Sequence, residues 1–89
     1  MGALFENLVV NMIMQNIDYY RKPYKIYFWR TFTNAEVDLV LLNNETTGLI
    51  PIEIKYSKTK FPSKSFINSY KDRLEGEYCI NRDNLWKFI

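Results

Sequence analysis

Two acidic residues and a lysine lie on neighbouring predicted strands, and their types and spacing suit divalent-metal chemistry. Glu53 and Lys55 belong to the segment 49–55, in which apolar and other residues alternate. Asp38 directly precedes the apolar run 39–42 in the segment before it. Side chains two residues apart in a strand lie on one face, about 7 Å apart, so Glu53 and Lys55 should point away from the neighbouring isoleucines. Charged groups on apolar strands cost free energy unless they are paired or bind a metal. The pattern therefore predicts a site for a divalent cation and a water molecule beside a phosphodiester.

The composition restricts the metal and the catalytic groups. The chain has no His, which excludes His-based triads and the usual zinc sites. Oxygen ligands favour Mg²⁺ or Mn²⁺, and the predicted ligands are the carboxylates of Asp38 and Glu53 with the backbone carbonyl of Ile54. Lys55 would orient the water and stabilise developing charge. Glu6, a carboxylate inside the apolar stripe of a predicted helix, could hold a second metal or a metal-bound water.

The size and composition of the chain indicate one small globular domain over residues 1–89. At 47% hydrophobic and 17% aromatic it is too apolar for a disordered tail, yet its apolar runs are too short to span a membrane. A core of this size is marginal, so a homodimer or another partner would add stability. Cys79 is the single cysteine, which leaves no internal disulfide and favours a cytoplasmic protein.

The hydrophobic pattern predicts the order α-β-β-β-α-β. The predicted elements are a helix over 3–18, strands over 25–31, 36–42 and 49–55, a helix over 63–74 capped by Ser63 or Ser65, a strand over 77–81, and a candidate strand over 85–89. Short turns, at Thr33-Asn34 and over 43–48, make the first three strands an antiparallel meander. A crossover helix lets the next strand run parallel to one of them. The expected fold is α/β, a mixed sheet flanked by helices.

Several other side chains receive predicted roles. Lys58, Lys60 and Lys64, interleaved with Tyr56 and Phe61, suit a loop that contacts nucleic-acid phosphates, although a solvated basic loop explains them equally well. The net charge of +2 permits nucleic-acid binding without arguing for it. Glu36 is expected to form a salt bridge with Arg30 on the neighbouring strand. Tyr27 and Trp29 are assigned to packing, and Cys79 to a buried position.

The same residues resemble the D…E-x-K signature of the PD-(D/E)XK nuclease superfamily. The variant with a glutamate on the first helix, here Glu6, is similar to archaeal Holliday-junction resolvases. A closer resemblance is to the DUF4143 and DUF234 group, the nuclease-like C-terminal domains of archaeal and bacterial AAA-type ATPases. The segments that carry it are G-A-L-F-E-N-L at 2–8, F-W-R-T at 28–31, E-V-D at 36–38 and I-E-I-K-Y at 52–56. Val37 stands where the superfamily has a proline before its metal-binding aspartate.

The resemblance implies a restriction-endonuclease-like core and Mg²⁺- or Mn²⁺-dependent hydrolysis of DNA phosphodiesters. The implied catalytic set is Glu6, Asp38, Glu53 and Lys55. It also implies that the chain is one nuclease-like domain, either derived from a larger ATPase or standing alone. Two alternatives stay open because one fold hosts many functions. They are a non-catalytic DNA-binding module that retains the sheet, and an assembly domain that docks on an ATPase, which the high aromatic content suits.

Overall fold

Within residues 2–31, 36–57 and 59–88, which the computed structural model describes, four β-strands form one mixed sheet and two α-helices pack against it. The strands are Tyr24–Arg30 (β1), Glu36–Asn43 (β2), Leu49–Ile54 (β3) and Tyr78–Ile80 (β4). They lie in the order β1-β2-β3-β4. The first three pair antiparallel, and β4 pairs parallel with β3. The predicted meander and the parallel last strand are therefore confirmed, and the fold is mixed α/β.

The core consists of two apolar clusters on opposite faces of the sheet. The first helix, Gly2–Tyr20 (α1), joins one cluster, whose buried members are Phe5, Val9, Leu39, Ile52, Ile54 and Ile80. The second helix, Lys64–Tyr70 (α2), joins the other, formed by Val37, Val40, Leu49 and Phe66. Leu39 and Val40 are adjacent in a strand and so point to opposite faces. The two helices therefore cover different sides of the sheet.

A β-bulge interrupts the pairing of β1 with β2 beside one of the predicted site residues. Tyr27 pairs with Val40, and Trp29 pairs with Val37. Between these pairs β1 has one residue, Phe28, whereas β2 has two, Asp38 and Leu39. An extra residue of this kind shifts the alternation by one and re-aims the side chains around it. The shift explains why Val37 and Val40 belong to the same cluster although they lie three residues apart.

The second helix is shorter than the predicted span of 63–74. Ser63 caps it, as predicted, with its hydroxyl accepting a hydrogen bond from the Ser65 N–H at 3.2 Å. After Tyr70 the chain forms a 3₁₀ turn over Lys71–Arg73, and Leu74 then becomes extended. Leu74 bridges to Leu49 in parallel, and the N–H of Glu75 donates to the Leu49 carbonyl at 3.0 Å. Pairing with β3 therefore ends the helical segment.

The candidate strand over 85–89 is wrong, because Leu85–Phe88 forms a 3₁₀ helix. A pair of asparagines sets up the turn before it. The Asn81 side-chain oxygen accepts from the N–H groups of Asp83 and Asn84, and the Asn84 side-chain oxygen accepts from the Asn81 N–H at 2.7 Å. Such side-chain bonds compete with a strand ladder. The predicted Thr33-Asn34 turn lies outside the described residues.

No helix among the described residues has the length and apolar character required to cross a membrane.

The packing of Phe66 predicts a large cost for its removal. Its ring is 1% exposed and lies edge-on to Trp29, with the ring centres 5.2 Å apart. Phe66→Ala should lower the free energy of unfolding by about 3–5 kcal/mol, measured by urea denaturation. Phe61→Ala is the control, because that ring is 74% exposed and should contribute little. Equal losses in the two variants would contradict the assignment of Phe66 to the core.

Candidate active site

Asp38 lies in the bulge of β2 and caps the end of β3. Its Oδ2 accepts a hydrogen bond from the Ile54 N–H at 2.9 Å. The Nζ of Lys55 lies 4.0 Å from the same oxygen, and the Asp38 side chain is only 10% exposed. A bulge can re-aim a side chain in this way at the place where pairing ends. Asp38 therefore links the end of β3 to the lysine that follows it.

Glu53 is a buried carboxylate that lies next to Asp38. Its side chain is completely buried, and among the described residues no group donates a hydrogen bond to either carboxylate oxygen. The Nζ of Lys60 lies 3.8 Å from Oε2. Burial and the negative charge of Asp38, to which a protonated Glu53 would donate a hydrogen bond, raise the pKa of Glu53 to about 7, against the opposing effect of Lys60 and Lys55. Near neutral pH this carboxyl group is therefore divided between its protonated and ionised forms.

A polar cleft of about 360 Å³ opens beside Asp38. Its lining comes from α1, from β1, from β2 and from the residue after β3, and consists of Glu6, Phe28, Trp29, Arg30, Glu36, Val37, Asp38 and Lys55. Three carboxylates and two cationic side chains among these leave one net negative charge when all are ionised. Burial and the charges of Asp38 and Glu36 raise the pKa of Glu6, while Lys55 opposes them. A phosphate would therefore meet a repulsive cleft unless a further cation were bound.

The position of Lys55 is set by contacts on both sides of its backbone. Its N–H donates to the Ile80 carbonyl at 3.0 Å, and the carbonyl of Tyr56 accepts from the Arg82 N–H at 3.0 Å, which extends the parallel pairing beyond β3. The Tyr56 ring lies edge-on to Phe5 of α1, with the ring centres 5.4 Å apart. The helix and the last strand thus jointly hold the segment that carries the lysine.

The structure brings three of the four predicted catalytic residues into one cleft. Glu6, Asp38 and Lys55 line it, whereas Glu53 contacts Asp38 from a buried position and does not line the cleft. β3 ends at Ile54, so the strand alternation that relates Glu53 to Lys55 does not extend to the lysine. In the described part of the chain, no group of three or more His, Cys, Asp or Glu side chains is arranged to hold a metal ion. The candidate metal ligands are therefore the pair Asp38 and Glu53, with any further ligands from backbone or water.

That pair fits a divalent cation. The two Glu53 oxygens are buried without hydrogen-bond donors, and a carboxylate in that state requires a proton or a cation. Mg²⁺ commonly binds through one or two carboxylates and keeps several of its waters. Asp38 and Glu53 would supply those two carboxylates, and the predicted Ile54 carbonyl is the adjacent backbone group.

The three predicted phosphate-contacting lysines are placed differently. Lys60 is half-exposed, and its ammonium group faces Glu53. Its backbone N–H donates to the Cys79 sulfur at 3.4 Å, which fixes the loop against β4. Lys64 is exposed at the start of α2, and Lys58 lies outside the described residues. Cys79 is half-buried rather than fully buried as expected.

Sequence reasoning predicted some neighbours of the site and missed others. The predicted Arg30–Glu36 salt bridge is confirmed at 3.0 Å. The edge-on contact of Trp29 with Phe66 confirms its packing role, whereas Tyr27 is 48% exposed. Phe28 in the cleft and the Lys60–Glu53 pair were missed. Nothing in the sequence marks the bulge opposite Phe28, and Lys60 lies seven positions after Glu53.

The family model of DUF4143, described as a domain of unknown function, matches residues 1–85. This match covers most of the chain, so the chain belongs to that family. No curated protein and no solved structure matches it.

The raised pKa of Glu53 predicts that the free energy of unfolding falls as the pH rises. Its pKa is about 7 in the folded chain against an ordinary value of 4.5, so between these values the folded state holds a proton that the unfolded state has lost. Without divalent cations, the free energy of unfolding should therefore fall across this window, by about 2–3 kcal/mol from this group. Urea denaturation in EDTA over a pH series should show that Glu53→Gln removes most of this fall.

The control for this series is Glu77→Gln, which makes the same change at an exposed position. Its pH profile should follow that of the unmodified chain. A Glu53→Gln profile that also follows it would contradict the buried, proton-binding state of Glu53.

Proposed function

We propose that this DUF4143 member hydrolyses DNA phosphodiesters with the help of Mg²⁺ or Mn²⁺. The observation that supports this most directly is the buried pair of Asp38 and Glu53, in which both Glu53 oxygens lack hydrogen-bond donors. The pair adjoins a cleft that carries Lys55 and Glu6. A divalent cation held by the two carboxylates would neutralise phosphate charge and acidify a water. The net negative cleft explains why such a cation would be needed before a phosphate could enter.

The residues of the cleft suit the remaining requirements of hydrolysis. Lys55 faces the cleft with its ammonium group 4.0 Å from Asp38, where it can donate hydrogen bonds to a phosphate oxygen and stabilise the charge that develops there. Glu6 faces the same space from α1 and can orient a water by accepting its hydrogen bond. Asp38 already accepts the Ile54 N–H, which fixes its carboxylate in one orientation. In the hydrolysis itself, the water oxygen bonds to phosphorus while the bond to the leaving oxygen breaks and that oxygen gains a proton.

A restriction-endonuclease-like core is part of this proposal. Its support is the element order, in which a helix carrying Glu6 precedes a meander whose second and third strands carry Asp38 and Glu53, and a crossover helix returns to a parallel strand. Asp38 near the start of β2, Glu53 near the end of the adjacent β3 and Lys55 directly after it further support the comparison.

A second candidate is a non-catalytic module that binds DNA or docks on an ATPase domain. Lys60 favours it, because a lysine 3.8 Å from Glu53 already supplies a cation to that carboxylate. The outer side of α1 favours docking, since Leu4 and Leu8, one turn apart, are 72% and 50% exposed. In this alternative the carboxylate pair is structural and no metal binds there.

Cleavage assays on branched, single-stranded and duplex DNA test the proposed chemistry. Asp38→Asn should abolish metal-dependent cleavage while DNA binding stays equal or tightens slightly, because one negative charge near the phosphates is lost. Lys55→Ala should also abolish cleavage without weakening metal binding, since a charged lysine has no lone pair to offer.

Asp72→Asn, at an exposed position of the 3₁₀ turn after α2, is the control and should cleave normally. Binding of DNA without cleavage by the unmodified chain, in both Mg²⁺ and Mn²⁺, would contradict the proposal and support the non-catalytic module. Absence of DNA binding even at low salt would support docking instead.

The position of Lys60 predicts that its ammonium group competes with a bound metal for the Glu53 carboxylate. If Asp38 and Glu53 bind a divalent cation, Lys60→Gln should tighten Mn²⁺ binding at pH 8, where Glu53 is mostly ionised, by about tenfold. Isothermal titration calorimetry measures this directly. Lys64→Gln removes the same charge at the exposed start of α2 and should change the affinity little. A Lys60→Gln chain that is less stable and still binds no Mn²⁺ would identify Lys60 as the permanent counterion of Glu53.

A further inference from the structure

Phe28 is an exposed aromatic ring in the wall of the polar cleft. It is 71% exposed and lines the cleft together with Asp38 and Lys55. The bulge places Phe28 on β1 directly opposite Asp38 and Leu39 of β2. An apolar ring is thus held next to the carboxylate that would bind the cation beside the reacting phosphate.

Packing explains the neighbours of Phe28 on β1 but not Phe28 itself. Ile26, two residues earlier, packs against the core cluster of α1. Trp29 packs against Phe66 on the other side of the sheet, with the ring centres 5.2 Å apart. Phe28 lies between these two residues in the chain, yet most of its surface stays exposed. An apolar side chain left exposed inside a concave polar site is typical of a surface that meets a ligand.

We propose that Phe28 is the stacking platform for an unpaired DNA base adjacent to the phosphate at Asp38 and Lys55. The inference deepens the proposed hydrolysis and rests on it for the identity of the ligand. Nucleobases stack on aromatic side chains irrespective of sequence, because every base has a π-face. The cleft volume of about 360 Å³ lies within the range of ordinary small-ligand sites, so it suits one nucleotide rather than a helix.

The charges around Phe28 suit the backbone on either side of such a base. The Arg30 side chain is 76% exposed and is oriented by Glu36, while the Lys55 ammonium lies 4.0 Å from Asp38. A guanidinium group carries five N–H donors in a fixed plane, so a bond to Glu36 leaves it able to contact a phosphate as well. A ring beside two cations matches the pattern of single-strand binding sites, in which stacking and phosphate contacts act together.

The substrate class follows from the geometry of stacking. In a duplex both faces of each base are covered by neighbours, and taking a base out costs a few kcal/mol. A single strand, a flap or the open centre of a branched structure offers an unpaired base without that cost. The site should therefore prefer DNA that carries an unpaired nucleotide next to the phosphate that is cleaved.

The test compares Phe28→Ala with Tyr27→Ala in DNA binding. Tyr27 is the next residue of the same strand and 48% exposed, but it does not line the cleft. Fluorescence anisotropy would measure binding of a labelled ten-nucleotide thymidine strand, and of the same strand as a duplex, in Ca²⁺ at low salt. Phe28→Ala should weaken single-strand binding by roughly 5- to 150-fold and leave duplex binding almost unchanged. Tyr27→Ala should change neither, and Phe28→Trp should restore single-strand binding.

A second readout follows stacking itself. A strand with 2-aminopurine in place of one base should lose fluorescence on binding to the unmodified chain, and should keep it with Phe28→Ala. Equal losses of single-strand and duplex affinity, no loss in Phe28→Ala, or an effect of Tyr27→Ala as large as that of Phe28→Ala would overturn the proposal. Cleavage plays no part in these readouts. Stacking without hydrolysis would therefore reject the proposed chemistry and leave the base-binding site standing.

Discussion

A carboxylate that is completely buried beside a second carboxylate needs a proton or a cation, and Glu53 is in that state. No described residue donates a hydrogen bond to its oxygens, and the Lys60 ammonium lies 3.8 Å away. Replacing Glu53 with an apolar residue would remove the free-energy cost of burying a carboxylate. Glu53 is therefore unfavourable for stability unless its charge has a function. Three features relate to the burial of Glu53. The bulge aims Asp38 at the end of β3, a loop brings Lys60 to Glu53, and the carboxyl group holds a proton near neutral pH.

Neighbouring strands and α1 hold Glu53 and the lysine that follows β3 in position. β3 lies between β2 and β4, and Glu53 pairs with Cys79 of β4 just beyond the last β2 pair, Leu39 with Ile52. β4 extends its pairing past the end of β3 through Lys55 and Tyr56, while α1 contacts Tyr56 through Phe5. The lysine of the cleft is therefore held by tertiary contacts rather than by a strand. Its position depends on the same parallel pairing that completes the sheet.

Hydrophobic patterning predicted the order of the elements because short apolar segments, as in 39–42 and 49–54, are buried or half-buried in the sheet and polar turns separate them. It failed where local hydrogen bonds decide the backbone, as at Asn81 and Asn84, whose side chains favour a 3₁₀ turn over a strand. Residue types and spacing brought Glu6, Asp38 and Lys55 into one candidate site. The burial of Glu53 was not predictable, because it depends on Lys60 and on an extra residue in β2 that has no sequence signal.

Calorimetric titration with Mn²⁺ near pH 7, repeated in buffers of different ionisation enthalpy, tests most directly whether Asp38 and Glu53 form a metal site. The account predicts one binding event that releases protons, because Glu53 is partly protonated at this pH and must ionise to act as a ligand. Glu53→Gln should remove both the binding and the proton release. Absence of binding, or binding that persists unchanged in Glu53→Gln, would contradict the account.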